Sequence, residues 1–220
     1  MRRWLWEHSL SIVLLALFLA ILVGQVFARR LEYNADQLTH GEAAIGVLNY
    51  LGTGHFVEAL FENWESEFLQ MGAFIVLTRL FRQKGSPESK KLEGEEPVDA
   101  DPRKATLKEE TPWPVRTGGL AMRPYERSLS LAMFVLFFTT LAAHAAGGAA
   151  EYNAEQQVHG GGGVSTLGYL TTARFWFESL QNWQSEFLAI AALVVLSIYL
   201  RDRGSPESKP VAAPHSLTGS

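Results

Sequence analysis

Long apolar stretches without charge alternate with highly charged stretches along the chain. Residues 9–28 and 128–150 contain no Asp, Glu, Lys or Arg. A hydrocarbon core about 30 Å thick needs about 20 apolar helical residues, so each stretch predicts a transmembrane helix. Two further stretches, about 56–82 and 175–201, are strongly apolar only in their second halves. We expect each to form a spanning helix whose polar start projects beyond the lipid.

Local signals mark the ends of these two less apolar helices. Thr53 and Thr172 precede them, and a threonine at that position can cap a helix N-terminus. Gly-Ser-Pro follows them at residues 85–87 and 204–206. A glycine with a nearby proline commonly ends a helix.

The chain contains one segment twice, at a constant shift of 119 positions. Glu-Tyr-Asn-Ala at 32–35 returns at 151–154, and Asn-Trp-x-Ser-Glu-Phe-Leu at 63–69 returns at 182–188. The register never slips between residues 32 and 90, where about half the positions match their partners. Such self-similarity predicts a tandem duplication of one two-helix unit.

The repeat sets the predicted domain organisation. We predict a first two-helix repeat over 1–90, a flexible cytoplasmic linker over 91–122, a second repeat over 123–209 and a disordered tail over 210–220. The predicted fold class is an all-α membrane protein. Its four transmembrane helices form two tandem helical hairpin repeats, which are parallel because each has an even number of spans.

The basic residues are distributed unevenly along this predicted topology. Sixteen of the nineteen Lys and Arg residues lie in the N-terminal segment, the central segment 79–127 and the C-terminal tail. Cytoplasmic loops collect Lys and Arg, so we expect a plasma-membrane protein with both termini in the cytoplasm. A cleavable signal peptide is the alternative for residues 9–28, but the third span repeats that stretch and argues against it.

Composition excludes several functional classes. The chain has no cysteine, which excludes disulfides, thiolate metal sites and thiol nucleophiles. The net charge of −4 and the lack of a basic surface argue against nucleic-acid binding. No phosphate loop or nucleophile elbow occurs in the sequence, so we expect no cofactor and favour a protein that is not an enzyme.

Polar residues in the predicted spans form one candidate site. His144 would act as a proton carrier or as a hydrogen-bonding group between helices, and the second role is favoured. Glu67 and Glu186 are ion or proton ligands if they lie inside the bundle, and solvated acids at a helix start if they lie outside. The second alternative is favoured for them too. The candidate polar site comprises Gln25, Asn63, Glu67, His144, Asn182 and Glu186.

The repeated motif beyond the first and third spans forms a second candidate site, which we call the outer-cap motif. Two histidines and two glutamates of this motif are a chemically sensible metal-ligand set. Their eight-residue spacing fits no known ligand motif, so a cap that hydrogen-bonds to the two loops is favoured. The outer-cap motif comprises Glu32, Tyr33, Asn34, His40, Glu151, Tyr152, Asn153 and His159.

These twin motifs, with Tyr-Leu-x-Thr at 50–53 and Gly-Ser-Pro-Glu-Ser-Lys at 85–90, resemble a bacterial family known as domain of unknown function number 6766. The likeness covers nearly the whole chain outside the linker and tail. It implies a bacterial membrane protein and supplies no activity and no catalytic residue.

Three functions follow as expectations. A non-enzymatic interaction or scaffold role in the envelope comes first, because the outer loops are elaborate yet offer no catalytic set. A small ion or proton channel or transporter, with the polar site between the repeats, comes second. A metal-dependent membrane enzyme comes third. The expected partners are the lipid bilayer and either further copies of the chain or another envelope protein.

Overall fold

The computed structural model describes residues 2–219, and all regular structure within them is helical, without any strand. The prediction of an all-helical fold is therefore confirmed. Two short 3₁₀ helices, Pro97–Asp99 and Pro102–Lys104, lie in the central segment. The α-helices of the described residues are α1 (Arg2–Glu7), α2 (Ser9–Thr39), α3 (Val47–Tyr50), α4 (Gly54–Leu80), α5 (Trp113–Thr117), α6 (Gly119–Tyr125), α7 (Ser128–Val158), α8 (Thr166–Tyr169) and α9 (Ala173–Tyr199).

Corresponding helices of the two sequence copies have equal lengths. Helices α2 and α7 have 31 residues each, and helices α4 and α9 have 27 each. The four-residue helices α3 and α8 occupy corresponding positions in the two loops. Equal lengths at equal positions are what the duplication of one unit would produce.

Three helices are long and apolar enough to cross a membrane, namely α2, α7 and α9. Helix α4 is as long as α9 but is not one of them, because it carries four glutamates in its first half and Arg79 near its end. The outer-cap motif continues α2 and α7 without a break, since both helices extend well beyond their uncharged parts.

Threonine caps begin the two helices that the sequence marked as less apolar. The hydroxyl oxygen of Thr53 accepts a hydrogen bond from the backbone N–H of Phe56 at 3.2 Å. That of Thr172 accepts one from Phe175 at the same distance. Each hydroxyl satisfies one of the N–H groups that a helix start leaves unpaired. This part of the sequence prediction is confirmed.

The chain divides into two compact units. The first unit consists of the described residues up to Phe61 together with Ala142–Phe175. The second unit consists of Glu62–Leu141 and the described residues from Trp176 onward. Each unit draws residues from both sequence copies.

Helices α4 and α7 approach each other closely in the first unit. A Cβ atom on Gly147 of α7 would lie 2.5 Å from the backbone nitrogen of Glu58 on α4. A Cβ atom on Gly54 would lie 2.6 Å from the backbone nitrogen of Glu151. Only glycine fits at these two positions, and small residues are what allow helices in lipid to pack this closely.

The C-terminal tail is hydrogen-bonded into the second unit, although the sequence predicted disorder there. Lys209 is 1% exposed, and its ammonium donates to the carbonyl oxygens of Gly85, His215 and Leu217. The backbone N–H of Gly85 donates to the hydroxyl of Thr218 at 2.8 Å. A buried ammonium needs several acceptors, and the tail supplies two of the three carbonyls.

Local structure also occurs in the segment 91–122, which the sequence predicted as a flexible linker. It contains both 3₁₀ helices, α5 and the start of α6. The side chain of Asp101 accepts from the backbone N–H of Arg103 at 3.0 Å and so caps the second 3₁₀ helix. Met122, at the end of the segment, is buried.

Candidate functional site

Glu58 is a buried carboxylate of the first unit, only 6% exposed on α4. The hydroxyl of Tyr169 donates to it at 3.0 Å, and the Arg174 guanidinium lies 3.4 Å from the same oxygen. Arg174 also contacts Glu155 at 2.6 Å. Tyr152 packs beside this group, its ring centroid 6.2 Å from that of Tyr169. A buried charge is tolerated when it is paired and hydrogen-bonded, and these neighbours provide both conditions.

His144 is fully buried in the same unit. One of its ring nitrogens lies within 4.8 Å of a carboxylate oxygen of Glu58. Its ring centroid is 5.1 Å from that of Phe175. Gln25, its counterpart in the other sequence copy, is half-buried. The structure therefore places the predicted His144 beside an acid that the sequence did not single out.

Glu65 is a buried carboxylate of the second unit, with no exposed surface. The hydroxyl of Ser179 donates to its Oε1 atom at 2.8 Å. The indole N–H of Trp183 donates to the same atom at 3.2 Å. Both donors belong to α9, so α4 and α9 are connected in this unit through one carboxylate.

The predicted polar residues of the second unit are less buried than Glu65. Glu67 and Asn63 are exposed, while Glu186 and Asn182 are half-buried. The backbone carbonyl of Glu186 accepts a hydrogen bond from the side chain of Gln70 at 3.1 Å. The side chain of Asn182 donates to the backbone of its own helix.

Asparagines of the outer-cap motif attach the loops to α2 and α7. Asn34 donates to the carbonyl of Ile45 at 3.1 Å and accepts from its N–H at 2.9 Å. Asn153 makes the same two hydrogen bonds with Val164, at 2.9 and 2.6 Å. These two asparagines therefore connect α2 and α7 to the loops that follow them.

Aromatic packing surrounds the cap of the first copy. Tyr50 is fully buried and its hydroxyl lies 3.0 Å from Nδ1 of His55. Burial raises the pKa of Tyr50 to about 12, so the neutral phenol makes this contact. The ring of Tyr33 packs against both side chains, with centroids 5.6 and 5.3 Å away. Glu32 instead forms an exposed ion pair with Arg29 at 3.2 Å.

A cavity of about 390 Å³, which we call the outer cavity, lies at the ends of α2 and α7 in the first unit. His40 and His159 both line it, with ring centroids 6.3 Å apart and ring planes at 74°. The outer cavity thus brings together the two histidines that the sequence pairs only through the repeat. The other polar lining residues are Tyr33, Asp36, Gln37, Glu42, Glu151, Glu155 and Gln157.

Sequence reasoning missed several buried polar residues because it concentrated on positions shared by the two copies. Each missed residue occupies a position where the two sequence copies differ. A polar residue in one copy that aligns with a different residue in the other was the signal that could have found them. The missed residues are Glu58, Glu65, Arg174 and Ser179, which align with Phe177, Gln184, His55 and Leu60 respectively.

The described residues define an all-helical chain with three helices of membrane-spanning length and composition, which is compatible with a membrane protein. The chain belongs to the family described as a domain of unknown function (DUF6766), whose model matches residues 1–220. This confirms the resemblance drawn from the twin motifs. No curated protein and no solved structure matches the chain. The family description names no activity, so a function has to be argued from the buried groups.

Proposed function

We propose that the chain is an integral protein of the plasma membrane with four transmembrane helices, and that buried acids of α4 bind and pass protons or small cations. The single observation that carries the proposal is Glu65, a fully buried carboxylate in the middle of a long helix. Ionisable residues within a membrane are costly, and they usually mark ion or proton pathways.

Helix α4 serves as the fourth span in this proposal. Its 27 residues rise about 40 Å, enough to cross a hydrocarbon core of about 30 Å. Two of the four glutamates that lower its hydropathy, Glu58 and Glu65, are buried in protein and would not meet lipid. With four spans and the observed distribution of Lys and Arg, both termini lie in the cytoplasm.

The surroundings of Glu65 provide polar partners for a buried carboxyl group. The hydroxyl of Ser179 and the indole N–H of Trp183 both donate to its Oε1 atom. Complete burial places this acid against protein groups and away from lipid. A buried acid held in this way is typical of an ion or proton pathway through a membrane.

The test is proton flux in liposomes that contain the full chain and a pH-sensitive dye, driven by a potassium diffusion potential. We expect Glu65→Gln to reduce flux by about tenfold or more, since the amide cannot ionise. The matched control is Glu67→Gln, which neutralises an exposed acid two positions away and should leave flux within about twofold.

Circular dichroism and gel filtration of each variant confirm that it is folded before flux is compared. Wild-type flux no greater than that of empty liposomes contradicts the transport proposal. Equal losses in the Glu65 and Glu67 variants would remove the special role of the buried acid.

A second candidate function, self-association as part of an interaction or scaffold role, is favoured by helix α2. None of its most apolar 18-residue stretch is buried, and a Cβ on Gly24 would meet nothing within 4 Å. In α7 the counterpart of Ala28 is Gly147, and there the same helix position packs closely on α4. We therefore propose a second copy of this chain as the occupant of that α2 surface.

The lack of cysteine in the chain makes this candidate easy to test. Gly24→Cys should form a disulfide-linked dimer in membranes under mild oxidation. Leu19→Cys, on another side of the same exposed helix, should not. A chain that remains monomeric with both variants contradicts self-association through α2.

A further inference from the structure

We propose that the outer cavity binds one divalent transition metal ion, held by the imidazoles of His40 and His159. Both residues line this cavity of about 390 Å³ in the first unit. The inference does not depend on proton movement at Glu65, which belongs to the second unit. It rests on the hydrogen bonds of the two rings, on their spacing and on the acidity of the lining.

Hydrogen bonds fix the same tautomer in both histidines. Nδ1 of His40 lies 3.0 Å from the carbonyl oxygen of Asp36, four residues earlier in the chain. Nδ1 of His159 lies 2.8 Å from the carbonyl oxygen of Glu155, again four residues earlier. A carbonyl oxygen only accepts, so each Nδ1 carries the hydrogen and each neutral ring keeps a lone pair on Nε2. Metal-binding histidines are commonly oriented in this way by a carbonyl behind the ring.

The separation of the two rings is slightly larger than a shared ion requires. Zinc binds an imidazole nitrogen at about 2.0–2.1 Å, which places the ion roughly 3 Å from the ring centroid. Two rings that bind one ion therefore have centroids roughly 5–6 Å apart, depending on the angle between them. The observed separation is 6.3 Å. Small rotations of two side chains at the end of their helices would complete the geometry.

Acidic residues around the rings add negative charge and oxygen ligands. Asp36, Glu42 and Glu151 line the outer cavity. Two imidazoles with carboxylates favour Zn²⁺ and similar ions over Mg²⁺ and Ca²⁺, which prefer ligand sets made of oxygen alone. Glu32, which the sequence placed among the ligands, pairs with Arg29 and does not line the cavity.

The test is calorimetric titration of Zn²⁺ into the full chain in detergent, purified without a histidine tag and stripped with a chelator. We expect one ion per chain for the wild type and no saturable response to Mg²⁺. His40→Gln and His159→Gln should each weaken Zn²⁺ binding by about tenfold or more, and the double variant should abolish it. Co²⁺ should give visible absorption bands in the wild type that the double variant lacks.

His8→Gln is the matched control. Nδ1 of His8 also lies against a carbonyl oxygen four residues earlier, at 2.8 Å, but its ring stacks on Trp4 and not on a second histidine. This variant should bind Zn²⁺ like the wild type. Lack of binding by the wild type, or unchanged binding by the folded double variant, overturns the metal site. Neither result bears on the flux experiment.

Discussion

Helices α2 and α7 have the same length and the same outer-cap motif, yet they are packed differently. In α7, Cβ atoms on Gly147 and Gly148 would lie 2.5 Å from the Glu58 backbone and 2.3 Å from the Tyr169 ring. The corresponding positions of α2 are Ala28 and Arg29, which offer no such close approach. In the most apolar 18-residue stretch of α7, 22% of the residues are buried, whereas none are buried in that of α2. Two small residues therefore distinguish a packed helix from one whose apolar surface is open.

The two sequence copies also differ in the hydrogen-bond partners of their buried loop tyrosines. The hydroxyl of Tyr50 lies 3.0 Å from Nδ1 of His55, whereas that of Tyr169 donates to the carboxylate of Glu58. Both tyrosines are completely buried. The partner is a histidine in one sequence copy and a carboxylate in the other, and paired substitutions can measure the difference.

The largest effect is expected at the contact of α4 with α7. Gly147→Ala places a methyl group against the backbone of Glu58 and should destabilise the chain by about 3 kcal/mol. Gly24→Ala adds the same group in open space on α2 and should change stability by less than about 0.5 kcal/mol. Thermal unfolding in detergent, followed by circular dichroism, measures both. Equal effects would show that the two helices are packed alike.

Removal of one hydroxyl from each copy should give the next largest effect. Tyr169→Phe takes a donor from the buried carboxylate of Glu58 and should cost about 1.5–3 kcal/mol. Tyr50→Phe breaks a hydrogen bond to His55 and should cost about 0.5–1.5 kcal/mol. Thermal unfolding measures both losses of stability. A larger loss for Tyr50→Phe would contradict the idea that Tyr169 donates to a charged carboxylate.

The lysines that end the two copies should differ in a local measurement. Lys209→Met removes the ammonium that holds three backbone carbonyls, and should open the tail by about 1–2 kcal/mol. Hydrogen exchange of the amides of Gly85 and Gly219 should then become faster. Lys90→Met, the matched control, loses only a contact with Asp99 and should leave both amides protected. Unchanged exchange in Lys209→Met would show that the ammonium does not order the tail.

The smallest effect is a pH dependence of the two Gly-Ser-Pro-Glu turns. Burial and the nearby Glu207 raise the pKa of Glu88. A carboxyl with a raised folded pKa stabilises the fold below its unfolded pKa, and this contribution is lost as pH rises through the folded value. Glu88→Gln should therefore gain stability relative to the wild type as pH rises above about 4.

The control for this pH effect is Glu93→Gln, which removes an exposed acid of the linker. Melting temperatures across the acidic range should converge at low pH for Glu88→Gln and run parallel for Glu93→Gln. A stability difference that does not vary with pH would contradict the raised pKa of Glu88.

Features that depend on neighbours in the chain could be predicted from sequence. The helical class follows from apolar stretches of membrane length, and the caps by Thr53 and Thr172 need only the next few residues. The loop contacts of Asn34 and Asn153 join residues 11 positions apart, and the repeated motif indicated only a cap in general. The helical class and the threonine caps depend on local chemistry, so sequence reasoning reached them.

Features that depend on tertiary packing could not be predicted. Glu65 and Glu67 are two positions apart, which places them on nearly opposite sides of a helix. The repeated motif made Glu67 the candidate, since both copies contain an acid there, and nothing in it distinguished Glu65, which is the buried one. The order of the tail likewise depends on Lys209 reaching Gly85, which is distant in sequence. Which residue is buried depends on which surfaces pack together, and one sequence alone does not show that packing.

Arg174 forms ion pairs with two acids. One is Glu155, which lines the outer cavity, and the other is the buried Glu58. A cation that competes for Glu155 would weaken the contact of Arg174 with that residue and so change its contact with Glu58. Occupancy of the outer cavity and the ion pair of Glu58 would then influence each other by the same free energy in both directions. Arg174 thus couples the outer cavity of the first unit to the buried acid Glu58 through electrostatic interactions.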